Sequence, residues 1–219
     1  MDAQQSLIDE LEEAVQSGSR ERRVETLRRI TDLFLLAPAH LNNEQIGVFD
    51  DVLTRLVERV EMKARAELAN RLAAIAQAPA DVIKRLAHDD EIAVAGPVLT
   101  QSTRLTTEDL VSIARQKGQA HLRAIAGRDT IEEQVTDVLV SRGNRDVVHA
   151  LAANVGAAFS DAGYSTMVKR AESDEDLVEK LGRRVDVPLH SSASCCFARP
   201  RLFAHGFSPR LALTGRMKS

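Results

Sequence analysis

Apolar residues recur every three or four positions through most of the chain, which is the spacing of amphipathic helices. The stripes predict a first helix before Gly18 and a second helix that ends before Pro38. From Asn42 to Ile75 they fit either one long helix or two helices with a kink near Lys63. No run alternates β-branched and polar residues as a strand does, so the pattern predicts an all-α protein.

A helix-pair unit recurs between about residue 66 and residue 190. Its copies close at polar turns spaced 28, 25 and 31 residues apart, at Asp90, Gly118, Gly143 and Asp174. Such spacings are typical of stacked helical repeats, in which neighbouring pairs bury each other's apolar faces. The sequence therefore predicts a HEAT-like helical repeat, which is an α-solenoid of stacked antiparallel helix pairs.

Three segments follow from these units. Residues 1–76 are predicted to be an N-terminal helical region, and residues 77–190 the helix-pair repeats that continue it. Residues 191–219 contain no acid and show no helical stripe, so we expect a non-native, poorly ordered tail. Our hypothesis is a frameshift near His190, because another reading frame with permitted codons can encode an amphipathic helix there. Loss of that helix would leave Leu177 and its apolar neighbours partly uncovered.

Several predicted helices begin with capping residues. Asn42, Thr106 and Thr130 each stand three residues before a Gln, Asp or Glu, in the pattern of a capping box. The best match to the capping box among the repeat helices is at Thr130, and either Ser160 or Asp161 opens a later helix.

Glycine interrupts the helical pattern at two places. Pro97 follows Gly96 inside a helical stretch and cannot donate a hydrogen bond to the carbonyl of Ala93. We interpret the pair as a packing kink or as the start of a helix just beyond it; the alternative is a kink that exposes a carbonyl to a ligand. Asn154 ends a helix, where Gly156 would offer a left-handed stop.

The distribution of charge narrows the choice of partners. The last 29 residues contain five Lys or Arg and no acid, so the other 190 residues carry 24 basic and 32 acidic groups, a net charge of −8. The net negative charge of these 190 residues argues against nucleic-acid binding, since phosphates require positive charge opposite them. No apolar run reaches the roughly 18 residues that span a bilayer, and the N-terminus has no basic-then-apolar leader. We expect no membrane association and a cytoplasmic location.

Recognised catalytic and cofactor motifs are absent from the sequence. It contains no glycine-rich phosphate loop and no nucleophile elbow, and no two of its six histidines are three or four residues apart. Acidic runs such as Glu172 to Asp176 lie at repeat turns and are typical of solvated faces or helix starts. We therefore predict no catalytic residue, no metal and no cofactor, and favour a protein that is not an enzyme.

Two sets of residues remain as candidate binding sites. The first, for a small-molecule sensor or an unrecognised enzyme, comprises Gly96, Pro97, His121 and Arg128. The second, for the nucleic-acid alternative, comprises Arg20, Arg22, Arg23 and Arg29. Adjacent repeats could also bring His121 near His149, but because no metal motif is present we favour the interpretation that both are partly exposed or capped histidines.

Five segments resemble an uncharacterised bacterial family called domain of unknown function twenty-three thirty-six. They are TLRRITDLFL, VFDDVLTRLVERVE, EIAVAGPVL, HLRAIAGR and EEQVTDVLVSRGNRDVVHALAANVGAAFS. The resemblance covers roughly residues 5–190 and implies an all-helical, HEAT-like fold and a bacterial cytoplasmic protein. It implies no reaction and no catalytic residue. Our leading hypothesis is a non-enzymatic interaction module whose groove binds a protein or peptide; its partner and oligomeric state stay open.

Overall fold

A computed structural model describes residues 19–36 and 38–184, and this part of the chain is all-helical. It contains no strand, only an isolated bridge between Ile131 and Ala157. The all-α prediction is therefore confirmed. The predicted first helix and the predicted tail lie outside the described residues.

The described helices are α1 (Arg20–Leu36), α2 (Asn43–Val57), α3 (Met62–Leu72), α4 (Ala80–Ala87), α5 (Ile92–Gln101), α6 (Thr107–Gln116), α7 (Gln119–Ala126), α8 (Glu133–Arg142), α9 (Arg145–Ala153), α10 (Asp161–Ala171) and α11 (Glu175–Gly182), with a 3-10 turn at Pro38–His40.

One hydrophobic cluster links these helices from Leu27 in α1 to Leu181 in α11. Leu177 and Leu181 are only 2% and 5% exposed, so the expectation that Leu177 is partly uncovered is wrong, whereas its neighbour Val178 is half-buried. None of the described helices combines the length and the apolar character that crossing a bilayer requires.

The odd-numbered helices contact one another in chain order, from α1 to α3 and onward to α11. Among the even-numbered helices, α2 contacts α4, and α6, α8 and α10 contact in sequence. The direction of two odd helices can be read from side chains at their ends: His121, near the start of α7, contacts Asp89 just before α5. Arg128, just after α7, contacts Leu99 and Ser102 at the end of α5. Helices α5 and α7 therefore run in the same direction.

Two helix starts carry the capping boxes that the sequence predicts. The Asn42 side chain accepts a hydrogen bond from the Gln45 N–H at 2.8 Å, and the Gln45 side chain accepts one from the Asn42 N–H at 3.0 Å. The same reciprocal pair joins Thr106 and Asp109 at the start of α6. Of the two candidates for α10, Ser160 is the capping residue.

Thr130 does not cap α8, and that prediction is wrong. The capping residue is Glu132, whose side chain makes no capping hydrogen bond. The cause is a tertiary contact at the neighbouring residue: the Ile131 N–H donates to the Gly156 carbonyl at 3.0 Å, and the Ile131 carbonyl accepts from the Ala158 N–H at 2.8 Å. This pairing holds the chain extended one residue beyond Thr130.

Two ambiguous stretches of the sequence are resolved by the helix bounds. The stripe from Asn42 is divided between α2 and α3, which are separated by residues 58–61. Helix α5 continues through Gly96 and Pro97, so no helix begins beyond the pair. The Thr100 hydroxyl donates to the Gly96 carbonyl at 2.9 Å within this helix.

Side chains from one odd-numbered helix cap the C-terminal end of the preceding odd-numbered helix. The Arg128 guanidinium donates to the carbonyls of Leu99 and Ser102 at 2.6 and 2.8 Å, at the end of α5. The Asn154 amide donates to the Ala126 carbonyl at 3.0 Å, at the end of α7. Arg184, after α11, donates to carbonyls at and just beyond the end of α9. Carbonyls that a helix end leaves without partners are thereby satisfied by a side chain that follows the neighbouring odd-numbered helix.

Even-numbered helices use the same device. Arg142 of α8 donates to the Ala114 carbonyl near the end of α6. Arg170 of α10 donates to the Gly143 carbonyl at 2.7 Å, just after α8. Each arginine therefore joins two helices that are not consecutive in the chain.

Candidate functional site

An open groove of about 390 Å³ crosses the odd-numbered helices α7, α9 and α11. Its position follows from the burial of these helices: α9 directs Val147, Val148, Leu151 and Ala152 into the core, so other positions remain for the groove. Most of the lining is charged, and two alanines complete it. The lining residues are Arg123, Arg145, Asp146, His149, Ala150, Ala153, Asp176 and Lys180.

Asp174 organises the groove from its position at the start of α11. Its carboxylate accepts two hydrogen bonds from Arg145, from Nε at 2.6 Å and Nη2 at 3.0 Å. It also contacts His149 Nε2 at 2.8 Å and accepts the Leu177 N–H at 3.3 Å as a helix cap. Arg145 first, and then His149, hold the pKa of Asp174 well below its usual range. One carboxylate thus fixes both Arg145 and His149 of α9 against α11.

The tautomer of His149 follows from its two contacts. Lys180 Nζ lies 2.9 Å from His149 Nδ1, and an ammonium group can only donate a hydrogen bond. Nδ1 must therefore accept, which places the ring proton on Nε2, where it is donated to Asp174. Asp174, a neutral His149 and Lys180 form a continuous hydrogen-bonded chain along one side of the groove.

Two charged residues of the lining stay open to solvent. Arg123 and Asp146 are exposed, and neither makes a side-chain hydrogen bond or ion pair with a residue in the described ranges. In the same part of the chain, no group of three His, Cys, Asp or Glu residues has the arrangement of a metal site. The geometry can therefore hold a ligand by charge and hydrogen bonding in an open surface groove.

The four residues of the small-molecule set are not brought together in one cleft. His121 is 5% exposed, and its Nε2 lies 2.9 Å from the Asp89 carbonyl oxygen. Arg128 lies beyond the opposite end of α7, where burial lowers the pKa of its guanidinium and two carbonyls accept its hydrogen bonds. Gly96 and Pro97 lie in the middle of α5. Each polar member of the set thus contacts the backbone of a neighbouring segment.

Two arginines of the nucleic-acid set contact other residues of the chain, and the other two are exposed to solvent. Arg20 pairs with Glu61 at 2.7 Å, and Arg23 Nη1 lies 3.5 Å from the Arg59 carbonyl. Arg22 and Arg29 are exposed and, seven residues apart, share one side of α1. A second ion pair, between Arg28 and Glu67 at 2.7 Å, joins α1 to α3. Much of this basic cluster therefore holds α1 in place.

Sequence reasoning missed Asp174, His149 and Lys180 as a connected group. Asp174 belongs to the acidic run interpreted as a solvated face or a helix start, and it does cap a helix. The available signal is its place three residues before Leu177, which is the spacing of a capping residue. Nothing local indicates that the same carboxylate also binds Arg145, which is 29 residues earlier.

These features define an all-helical protein with an open, charged groove. Residues 94–197 match a bacterial family described as "uncharacterised protein conserved in bacteria (DUF2336)". The match confirms the resemblance predicted from the sequence, over a shorter range, and it includes the helices that form the groove. No curated protein and no solved structure matches the chain.

Lowering the pH is expected to weaken the contact between α9 and α11 through Asp174. Because the folded pKa of this carboxyl lies below its ordinary value of 3.8, its contribution to stability is complete above about pH 5. The contribution is lost as the pH falls from there toward the folded pKa, since the unfolded chain takes up the proton first. Urea unfolding should show a larger loss of stability between about pH 5 and pH 3 for the wild type than for Asp174→Asn. Asp146→Asn, in the same groove, should keep the wild-type pH dependence; equal profiles for all three chains would contradict this role of Asp174.

Proposed function

We propose that the protein is a helical-repeat interaction module, an α-solenoid whose odd-numbered helices present the groove to a protein or peptide partner. The observation that carries the proposal is that these helices contact one another in chain order and that three of them, α7, α9 and α11, line the open groove. A surface built from successive layers offers an extended platform for a partner.

The stacked arrangement is supported by the contacts between layers. A hydrophobic cluster runs continuously from α1 to α11, as expected where each layer buries its apolar face on the next. Capping side chains repeat this relation, because Arg128, Asn154 and Arg184 each donate to a carbonyl of the preceding odd-numbered helix. Parallel neighbours α5 and α7 have the orientation that successive helix pairs produce.

Binding a partner chain fits the groove better than enclosing a small molecule. Its volume of about 390 Å³ is near the lower end for ligand pockets, but such pockets are usually apolar and bury most of the ligand. This groove is open and mostly charged, and its residues Ala150 and Ala153 are small enough to let another backbone approach. Those features suit a peptide or helix laid across α7, α9 and α11.

Peptide display on the full-length chain tests the proposal. We expect twelve-residue peptides to be enriched from a random library and to lose binding to Ala153→Arg, which places a long side chain in the groove. Ala120→Arg is the matched control, because Ala120 is exposed on α7 but does not line the groove. Circular dichroism should show that both variants remain folded. Equal binding to the two variants would contradict the groove as the binding surface, and failure to enrich any peptide would contradict the proposed function.

A further inference from the structure

We infer that the groove selects protein segments that carry carboxylate side chains, and that Arg123 and Lys180 receive them. This inference rests on the proposed function and adds the chemistry of the partner. The two cations lie on different helices, α7 and α11, and both line the groove.

Arg123 is the cation most available to a partner. It is exposed, and no carboxylate in the described ranges forms an ion pair with it. Arg145, by contrast, directs Nε and Nη2 to Asp174 and also pairs with Asp176 at 3.3 Å. A guanidinium group that has all its donors open can bind a carboxylate through two parallel hydrogen bonds.

Lys180 is a second cation whose charge is not paired directly with an acid. Its nearest polar contact is the neutral ring nitrogen of His149 at 2.9 Å, which leaves two ammonium donors for another acceptor. Asp174, on the far side of that ring, is already engaged by Arg145, His149 and the Leu177 N–H. The hydrogen-bonded chain therefore positions Lys180 without neutralising it.

The acids of the groove favour a peptide over a nucleic acid. Asp146 and Asp176 also line it, so the groove presents charges of both signs. The negative phosphates of a nucleic acid would be repelled by both acids and by residues 1–190 as a whole, which carry a net charge of −8. Separate carboxylates on a peptide can occupy the cationic positions and avoid the acidic ones. Charge complementarity thus points to an acidic protein segment.

The composition of the enriched peptides tests this inference separately from the proposed function. We expect peptides selected on the wild-type chain to contain more Asp and Glu than the input library. Arg123→Gln and Lys180→Gln should each lower the affinity for a resynthesised acidic peptide by about tenfold, as measured by fluorescence anisotropy. When the acids of that peptide are replaced with Gln, the variants and the wild type should bind it with equal affinity. Arg29→Gln, an exposed arginine on α1, is the control that should bind like the wild type.

The other possible outcomes contradict either this inference alone or the proposed function as well. The inference is contradicted if the enriched peptides show no excess of acids, or if acidic peptides bind Arg123→Gln and Lys180→Gln as tightly as the wild type. Neither result contradicts the proposed interaction module. Failure to enrich any peptide would overturn both. Salt-sensitive binding of duplex DNA that is lost in Arg123→Gln would assign the groove to nucleic acid instead.

Discussion

Replacing Arg184 with Met is expected to destabilise the protein by about 3 kcal/mol. The Arg184 side chain is buried, and its guanidinium donates to the Ala157 carbonyl at 2.7 Å and to the carbonyls of Leu151 and Asn154. It also lies 4.8 Å from the centre of the Phe159 ring, a cation–π distance. Met fills part of the space but supplies no donor, so these carbonyls lose the hydrogen bonds that the guanidinium group donates. Urea unfolding of the full chain measures the change.

The control for Arg184→Met is the same substitution at Arg115, an exposed residue of α6. A surface change of this kind should alter the free energy of unfolding by no more than about 0.5 kcal/mol. Equal effects at the two positions would show that the carbonyl contacts of Arg184 contribute nothing measurable to stability.

Gly156→Ala should destabilise the protein by about 3 kcal/mol or more. A Cβ atom at Gly156 would lie 1.8 Å from the Asp129 carbonyl oxygen, which belongs to the backbone and cannot rotate away. The two segments must separate, and the hydrogen bonds between Ile131 and residues 156 and 158 are lost with them. Unfolding in urea, monitored by circular dichroism, gives the difference from wild type.

Gly47→Ala provides a control with the opposite sign. Gly47 lies within α2, and a Cβ there would meet no atom within 4 Å. Alanine in a helix interior is favoured over glycine by about 0.5–1 kcal/mol, so this variant should be slightly more stable than the wild type. Finding Gly156→Ala as stable as Gly47→Ala would contradict the close contact between the two segments.

The helices were predictable because their signals are local. Apolar periodicity identifies α1 and the repeat helices, and the side chains of Asn42 and Thr106 make the caps that their spacing predicts. Thr130 has the same spacing but fails, because pairing of the next residue with the segment after α9 decides the backbone there. The same pairing requires glycine at position 156 because a side chain there would collide with the backbone of Asp129. The backbone of Gly156 is not left-handed, contrary to the expectation of a left-handed stop.

The groove was not predictable for the opposite reason. Its organising carboxylate, Asp174, binds residues 25 and 29 positions earlier. The periodicity of the sequence does not specify which residues of different helices face each other. Arg128 illustrates the same limit: it was considered for a ligand site, but its contacts are carbonyls 26 and 29 residues earlier. Contacts between helices that are not consecutive in the chain depend on how the helices pack, and the apolar pattern does not specify that packing.

Distances between spin labels on α3, α7 and α11 test the proposed stack most directly. Lys63, Ala120 and Glu175 are exposed residues near the start of these helices. Each pair is changed to Cys in a chain carrying Cys195→Ser and Cys196→Ser. With about 9 Å between neighbouring helix axes, the stack predicts about 18 Å between Lys63→Cys and Ala120→Cys and roughly twice that between Lys63→Cys and Glu175→Cys. A second distance no longer than the first would show that the helices close into a bundle, and would contradict the stacked array on which the proposed function rests.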